Sequence, residues 1–358
     1  MLFYLTFILL CGVVFNMAQT AYKVNNVKFV FFIAVAVLIP AVIGGYRDLT
    51  VGIDVLVYGE SMFEYARSCN SINELIEYAS TREYGYFILN YLCSRVSSDV
   101  HFFLFVSELI KYTLVAIVAL HFREKMNPTV FMFTYIVMFY FSGLCLMRQT
   151  LAMCICFFAF IFLEKNKLVY LALITLAWTF HSSAFIMVMF LFVDILKNKS
   201  LSVYINIGIV AFLYVFSAAL LVFLGGSGLV KENIADRYMD TGVATSKAEL
   251  LIAFCILLYV FVKRKILCES SKYLLLTTTC YCLFFLYMAN QFEVAARVAA
   301  YQMIALVLYV PMSFEELKVS DKKNYYLFWI ILFLIHFYVS SQHGLSGTIP
   351  YSSHILGL

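Results

Sequence analysis

The chain has 358 residues, of which 64% are hydrophobic and 13% are charged, and its mean hydropathy is +0.91. A water-soluble domain is about 45–50% apolar and about 25% charged, so this composition predicts a protein that crosses the lipid bilayer many times. Its long apolar runs favour helical spans over the strands of a membrane β-barrel. The formal net charge of +4, without a dense basic tract, argues against nucleic acid as a partner.

A helix that crosses the bilayer needs about 20 apolar residues, and the sequence contains about twelve candidate spans. We place them at 3–20, 28–45, 100–121, 128–145, 149–163, 168–180, 183–196, 203–224, 249–263, 272–290, 298–314 and 325–341. The run 168–196 is too long for one span, and we divide it at His181 into a re-entrant helical hairpin. The sequence therefore predicts an all-α, polytopic membrane protein with a single integral membrane domain over residues 1–358.

The charges of the loops predict the orientation. Lysine and arginine are concentrated in the short loops of one side, for example at Lys165, Lys197 and Arg264, whereas acidic residues outnumber basic ones on the other side. The positive-inside rule places the basic side in the cytoplasm. The longer polar segments 46–99 and 225–248 and both termini then face outward, and 46–99 is expected to form a cap lying on the membrane.

The first of four outward-facing polar clusters is RDLTVGID at residues 47–54, followed by Tyr58. Arg47 offers a planar donor fork suited to phosphate, and Asp54 could accept a proton or hold the arginine in place. An ordinary charged membrane edge with a weak salt bridge explains the same residues.

The second cluster is Arg148 with Gln149, which lies between two apolar stretches on the outward side. An arginine at the centre of a span costs about 2.5–3.5 kcal/mol on insertion scales, and less near the interface, so Arg148 needs an anionic partner or a wet cavity. A lipid pyrophosphate would supply the anion. Snorkelling of the side chain to lipid headgroups is the alternative.

The third and fourth clusters contain a histidine and another arginine. His181, at the tip of the hairpin, suits proton transfer or phosphate binding, although a lone histidine is usually structural. Arg297 opens the span 298–314, with Tyr301 on the same helical face, and Glu293 could neutralise it through an i,i+4 salt bridge. Because all four clusters face outward, we expect an anionic-lipid site shared by Arg47, Arg148, His181 and Arg297.

Several common catalytic motifs are missing from the sequence. It contains no GxxxxGK[ST] phosphate-binding loop, no Asp-x-Asp pair, no HExxH and no GxSxG. We therefore expect no nucleotide, no metal and no other cofactor.

In their order along the chain, these clusters resemble the EpsG-like branch of the Wzy-type polysaccharide polymerases, bacterial membrane proteins of O-antigen, capsule and exopolysaccharide assembly. The resemblance covers most of the chain. It rests on RDLTVGIDVLVY at 47–58, YGY at 84–86, MRQTLA at 147–152, WTFHSSA at 178–184, the run from Ala296-Arg297 to Pro311, and IPY at 349–351.

The resemblance implies a GT-C-like glycosyltransferase of the bacterial inner membrane whose active site faces the periplasm. It would transfer the growing polymer from undecaprenyl pyrophosphate to the next lipid-linked repeat unit, with membrane lipids and a chain-length regulator protein as further partners. The implied pyrophosphate ligands are Arg148 and Arg297, then Arg47. Asp54 and His181 compete for the role of base, with a slight preference for Asp54, and the secondary binding residues are Gln149, Tyr58 and Tyr301.

Three alternatives remain at this point. An O-antigen ligase is chemically closest, because it differs only in its acceptor. A lipid-linked oligosaccharide flippase should have cationic sites open to either side, which the one-sided clusters do not favour. A membrane O-acetyltransferase would need a polar cluster on the cytoplasmic face, and the sequence shows none there.

Overall fold

The computed structural model describes residues 2–22, 24–79, 83–197, 204–206, 208–209, 212, 246–290, 293–342 and 347–358. Within these ranges the regular structure is entirely helical, which confirms the all-α prediction. The chain divides into two compact units. The first contains Met1–Met187 and Asn324–Leu358, and the second contains Val188–Lys323.

Among its described residues, the first unit contains nine α-helices before the division at Met187, together with most of a tenth from the end of the chain. Their bounds are α1 Leu2–Tyr22, α2 Asn26–Gly45, α3 Met62–Ser68, α4 Ile72–Ala79, α5 Tyr84–Val96, α6 Val100–His121, α7 Pro128–Cys145, α8 Met147–Leu163 and α9 Lys167–Phe180. A π-helical segment, Val55–Ser61, precedes α3, and a 3-10 segment, Ser182–Val188, follows α9. The described helices of the second unit are α10 Met189–Leu196, α11 Lys247–Lys263, α12 Glu269–Met288 and α13 Glu293–Phe314, and α14 Val319–Ser341 begins there and continues into the first unit.

Six of the described helices are long and apolar enough to cross a bilayer. They contain the segments Phe3–Tyr22, Asn26–Gly45, Val100–His121, Pro128–Cys145, Val294–Phe314 and Val319–Ser341. The apolar helices Met147–Leu163, Lys167–Phe180 and Ser182–Leu196 are shorter. The predicted span 203–224 and the predicted outer loop 225–248 lie almost wholly outside the described residues, so the total of about twelve spans stays a prediction.

Local sequence explains where several helices begin. Asn25, Asn127 and Asn166 have extended backbones, and their side chains accept hydrogen bonds from the first backbone N–H groups of α2, α7 and α9. These N–H groups have no partner within a helix, so each asparagine replaces the water that would otherwise bind them. Pro128 occupies the first turn of α7, where its missing N–H costs nothing.

The chain reverses direction at His181. The Tyr170 hydroxyl of α9 donates a 2.6 Å hydrogen bond to the carbonyl of Met187, so the 3-10 segment returns along the helix that precedes it. The sequence predicted a second helix over 183–196. Its first half is 3-10 and only Met189–Leu196 is α-helical. The depth of this turn in the membrane stays a prediction.

Residues 46–99 contain the π-helical segment and α3 to α5, which pack on the membrane helices. Val55, Phe63 and Tyr86 share a buried cluster with Phe103 of α6 and Met147 of α8. Because Tyr86 and Met147 belong to one apolar cluster, the start of α5 is held close to the start of α8. The described part of this segment therefore packs on helices of the first unit, and its place as a cap on the membrane stays a prediction.

The C-terminal tail packs against the loop after α2. The Tyr351 hydroxyl donates to the Ile43 carbonyl at 2.7 Å, and the Asp48 N–H donates to the Ser352 carbonyl at 3.0 Å. Gly52, whose φ of +102° is in the left-handed region that favours glycine, donates its N–H to Gly347 at 3.0 Å. The loop that carries the RDLTVGID motif is thus held by residues from the other end of the chain.

Candidate functional site

Arg47 is fully buried, and its guanidinium is directed to backbone carbonyls. Its Nε donates to Val51 at 3.2 Å, its Nη1 to Gly44, and its Nη2 to Leu144 at 2.8 Å. These bonds tie the loop after α2 to the end of α7. In this arrangement Arg47 positions the loop, and no nitrogen of its guanidinium is exposed to an outside anion.

A buried ion pair lies beside Arg47. Lys111 Nζ is 2.6 Å from Glu108 Oε1 on α6 and also donates to the Gly143 carbonyl at 3.2 Å, while Arg47 Nη1 is 3.9 Å from the same Glu108 oxygen. Glu108 and Lys111 are almost wholly buried. Burying charges is costly unless they are paired, so this cluster is stable only as a unit. It connects α6 to the carbonyls at the end of α7, directly before Arg148.

Asp54 directly precedes the π-helical segment that contains Tyr58. The Asp54 carbonyl accepts a hydrogen bond from the Tyr58 N–H at 2.8 Å, and its partly exposed carboxyl makes no hydrogen bond or ion pair with the residues that the structure describes. A π-helical turn is rare and occurs frequently at functional sites. It places the Tyr58 ring beneath Arg148.

Arg148, in the first turn of α8, is the partly exposed cation of the first unit's site. Its guanidinium carbon lies 3.8 Å from the centre of the Tyr58 ring, a cation–π geometry, and its Nη1 forms an ion pair with Glu83 Oε2. The side chains of Arg148 and Glu83 are 19% and 11% exposed. The sequence predicted that Arg148 needs an anionic partner, and the structure gives it a carboxylate that the sequence analysis did not single out.

Glu83 connects three of the sequence motifs. It directly precedes the Tyr84-Gly85-Tyr86 motif, pairs with Arg148, and its Oε1 accepts the backbone N–H of Ser182 at 3.2 Å. Its position beside the Tyr84-Gly85-Tyr86 motif is the one feature of the sequence that points to Glu83 as the partner of Arg148. Nothing in the local pattern distinguishes it from the other acids of segment 46–99.

Gly85 allows the start of α5 to approach the end of α9 closely. A Cβ at this position would lie 2.8 Å from Cε2 of Phe180 and closer still to Oγ1 of Thr179. The neighbouring Tyr86 hydroxyl donates to the Tyr58 carbonyl at 2.6 Å. Burial raises the pKa of the Tyr86 phenol, which keeps it protonated as the donor. The motif therefore holds Glu83, Tyr58 and the turn after α9 together.

His181 lies at that turn and is 7% exposed. Its backbone N–H closes α9 by donating to Ala177 at 3.1 Å, and its ring Nδ1 is 2.6 Å from Ser183 Oγ. Its neighbour Ser182 contacts Glu83. The structure thus brings His181, Arg148 and Tyr58 into one region of the first unit, joined through Glu83.

The remaining predicted site residues are placed as follows. Gln149 is buried in α8 beside Arg148. Arg297, which is partly exposed, and Tyr301, which is fully buried, belong to α13 of the second unit. The structure thus brings Arg148 and His181 into one region of the first unit, and the binding roles of all these residues, Arg297 and Tyr301 included, stay predictions. No group of three His, Cys, Asp or Glu side chains suited to a metal occurs among the described residues.

The fold and this site define a helical membrane protein with a partly exposed arginine, held on a tyrosine ring, at the start of one membrane-associated helix. Residues 3–353 match the EpsG family. The chain therefore belongs to the EpsG family, as the resemblance of its motifs predicted, and the family indicates a polysaccharide polymerase type of role. It has no significant match among curated proteins or among solved structures.

Proposed function

We propose that this protein is a repeat-unit polymerase that works on undecaprenyl-pyrophosphate oligosaccharides at the periplasmic face of the bacterial inner membrane. The observation that carries the proposal is Arg148, a partly exposed guanidinium at the start of α8 whose present partner is a carboxylate. A group that binds a carboxylate through charge-assisted hydrogen bonds also suits a phosphate oxygen. Membership of the EpsG family supports the same class of reaction.

The reaction needs little from the protein beyond alignment and charge stabilisation. A hydroxyl oxygen of the acceptor repeat unit bonds to the anomeric carbon of the growing chain, and the bond from that carbon to undecaprenyl pyrophosphate breaks. The leaving pyrophosphate takes the electron pair, and an arginine stabilises its charge. The lipid pyrophosphate is already activated, so the proposal requires neither nucleotide nor metal.

The residues have separate roles in this proposal. Arg148 binds the pyrophosphate, with Tyr58 orienting its guanidinium and Gln149 beside it. Arg297 of the second unit is proposed as a further pyrophosphate ligand, and Tyr301 supports that helix face. Arg47 is assigned to positioning, because its guanidinium is fully buried and donates to groups inside the protein.

Two candidates from the sequence could receive the acceptor's proton. Asp54 has a partly exposed carboxyl, and His181 lies within the cluster around Arg148. Membrane lipids would surround the site, and a chain-length regulator protein is the proposed protein partner.

The function is tested by deleting the gene in its host and separating the surface polysaccharide on a gel. A polymerase predicts loss of the ladder, with single-repeat-capped lipid remaining. Uncapped lipid would instead indicate a ligase or a flippase, and an unchanged ladder would refute the proposal. Restoring the gene with Arg148→Ala should leave the ladder absent. Arg148→Lys should restore it only in part, because lysine keeps the charge but loses the planar fork.

The proposed orientation has its own test. Cysteine labelling in intact cells should reach residue 60 of the outer segment and should not reach residue 264 without permeabilisation. Labelling of residue 264 from outside would reverse the topology and remove the site from the periplasm.

A further inference from the structure

Glu83 has no part in the roles assigned so far, although it contacts both Arg148 and the backbone of Ser182. Its two carboxylate oxygens are used separately. Oε2 pairs with Arg148, and Oε1 accepts the N–H of Ser182 at 3.2 Å, so the carboxylate is oriented from two sides. The Glu83 side chain is 11% exposed and the Arg148 side chain is 19% exposed.

The Glu83 carboxylate occupies the position in which an anionic ligand of Arg148 would bind. A phosphate oxygen and a carboxylate oxygen make the same charge-assisted hydrogen bonds to a guanidinium. A pyrophosphate that binds Arg148 from its exposed side therefore competes with Glu83 for Nη1. Two anions beside one guanidinium repel each other, so a bound pyrophosphate weakens the contact between Glu83 and Arg148.

We propose that Glu83 is the catalytic base, and that donor binding makes it available by displacing it from Arg148. This inference rests on the proposed polymerase function. In the transfer step the acceptor hydroxyl oxygen bonds to the anomeric carbon and its proton moves to a carboxylate oxygen of Glu83. The carbon–oxygen bond to pyrophosphate breaks, and undecaprenyl pyrophosphate leaves with the electron pair. The protonated Glu83 then returns its proton to water through its exposed face.

The geometry favours Glu83 over the two bases considered above. A general base needs a fixed position within hydrogen-bond reach of the hydroxyl, and geometry comes before proton affinity. Asp54 makes no polar contact with the described residues that would orient its carboxyl. The His181 ring is oriented by Ser183 Oγ, which lies 2.6 Å from Nδ1. Glu83 alone of the three adjoins the Arg148 guanidinium, where the leaving group is proposed to bind.

The first experiment measures binding of undecaprenyl pyrophosphate to the purified full-length protein in detergent. Glu83→Gln removes the competing charge but keeps a hydrogen-bond acceptor, so its Kd should equal that of the wild type or be several-fold lower. Arg148→Ala should raise the Kd by about tenfold or more, since a charge-assisted hydrogen bond contributes about 1.5–3 kcal/mol. A Kd for Glu83→Gln as high as that of Arg148→Ala would mean that Glu83 only holds the arginine, and would overturn the proposal.

The second experiment measures transfer with lipid-linked repeat unit extracted from the deletion host. Loss of a general base costs about 10²–10⁴-fold, so kcat of Glu83→Gln should fall by at least about 100-fold without a rise in KM. Glu83→Asp, which shortens the side chain and keeps the charge, should retain part of the activity. Glu64→Gln is the matched control, because Glu64 forms an exposed pair with Arg67 at 2.6 Å in the same outer segment, and its activity should be unchanged.

The outcomes separate this inference from the function on which it rests. If the deletion leaves the ladder unchanged, the polymerase proposal itself fails. If the ladder requires Arg148 but Glu83→Gln turns over within about threefold of the wild type, only the role of Glu83 is overturned. Recovery of activity by exchanging the charges, Glu83→Arg with Arg148→Glu, would also overturn it. If Glu83→Gln does not accumulate in the membrane, Glu83→Asp tests the role of Glu83 instead. An undiminished kcat in Glu83→Asp would contradict a positioned base.

Discussion

The close approach of α5 to α9 predicts that Gly85→Ala impairs the site. A new Cβ would lie 2.8 Å from Phe180 Cε2, whereas an ordinary contact begins at 3.4 Å. Relieving the Phe180 contact alone requires the two helices to separate by about 0.6 Å, the difference between these distances, or Phe180 to repack, and the closer Thr179 hydroxyl must also move away. Overpacking of this kind costs about 1–3 kcal/mol of stability. Because the bond between Glu83 and Ser182 spans the same junction, the site widens with it.

A misplacement of about 1 Å can cost about 10²-fold in rate, so we expect at least about a tenfold loss of polymer from Gly85→Ala. The assay compares ladder intensity in the deletion host with the amount of protein in the membrane, and then transfer by the purified variant. Gly12→Ala is the control, since the nearest atom to its Cβ, Phe133 Cδ2, would be at 3.8 Å. Full activity of Gly85→Ala at a normal membrane level would refute the idea that this contact positions the site.

Three further predictions concern the surroundings of the site. Lys111→Met should destabilise the protein by about 3–5 kcal/mol in a thermal unfolding measurement, because it leaves Glu108 charged and buried. Adding Glu108→Gln should recover most of this loss of stability. No recovery would contradict the pairing of Lys111 with Glu108. The pKa of the Asp48 carboxyl is lowered from 3.8 to about 2, first by a hydrogen bond from the His354 backbone N–H and then by one from the His354 side chain. The contact between Asp48 and His354 is therefore present above about pH 4 and is lost as the pH falls toward 2. Protease release of the C-terminal tail should follow that range, and Asp48→Asn should abolish the dependence. Tyr58→Phe should keep transfer near the wild-type rate, whereas Tyr58→Leu should lower the rate by about 2–30-fold, because it removes a cation–π contact worth about 0.5–2 kcal/mol. Equal rates for the two variants would show that the contact of the ring with Arg148 does not contribute to transfer.

Local sequence is enough to predict the helical class and the positions of most helices. The predicted spans 100–121 and 128–145 coincide with α6 and α7, and the bounds of α8 and α9 differ from the prediction by one or two residues. Hydropathy and capping are local properties, so a short window of sequence contains the information they need. The same holds for the conclusion that Arg148 requires an anion, because the cost of its charge depends on the apolar residues immediately around it.

Only the tertiary structure decided which polar groups meet. Arg148 and Glu83 are 65 residues apart, and Arg47 donates to a carbonyl 97 residues away. The sequence motifs predict both arginines as pyrophosphate ligands, with Arg148 preferred. Packing makes one a buried anchor and leaves the other partly exposed beside a carboxylate. These assignments depend on which helix ends share an apolar core and on the absence of a side chain at Gly85, and no local pattern of residues specifies that arrangement.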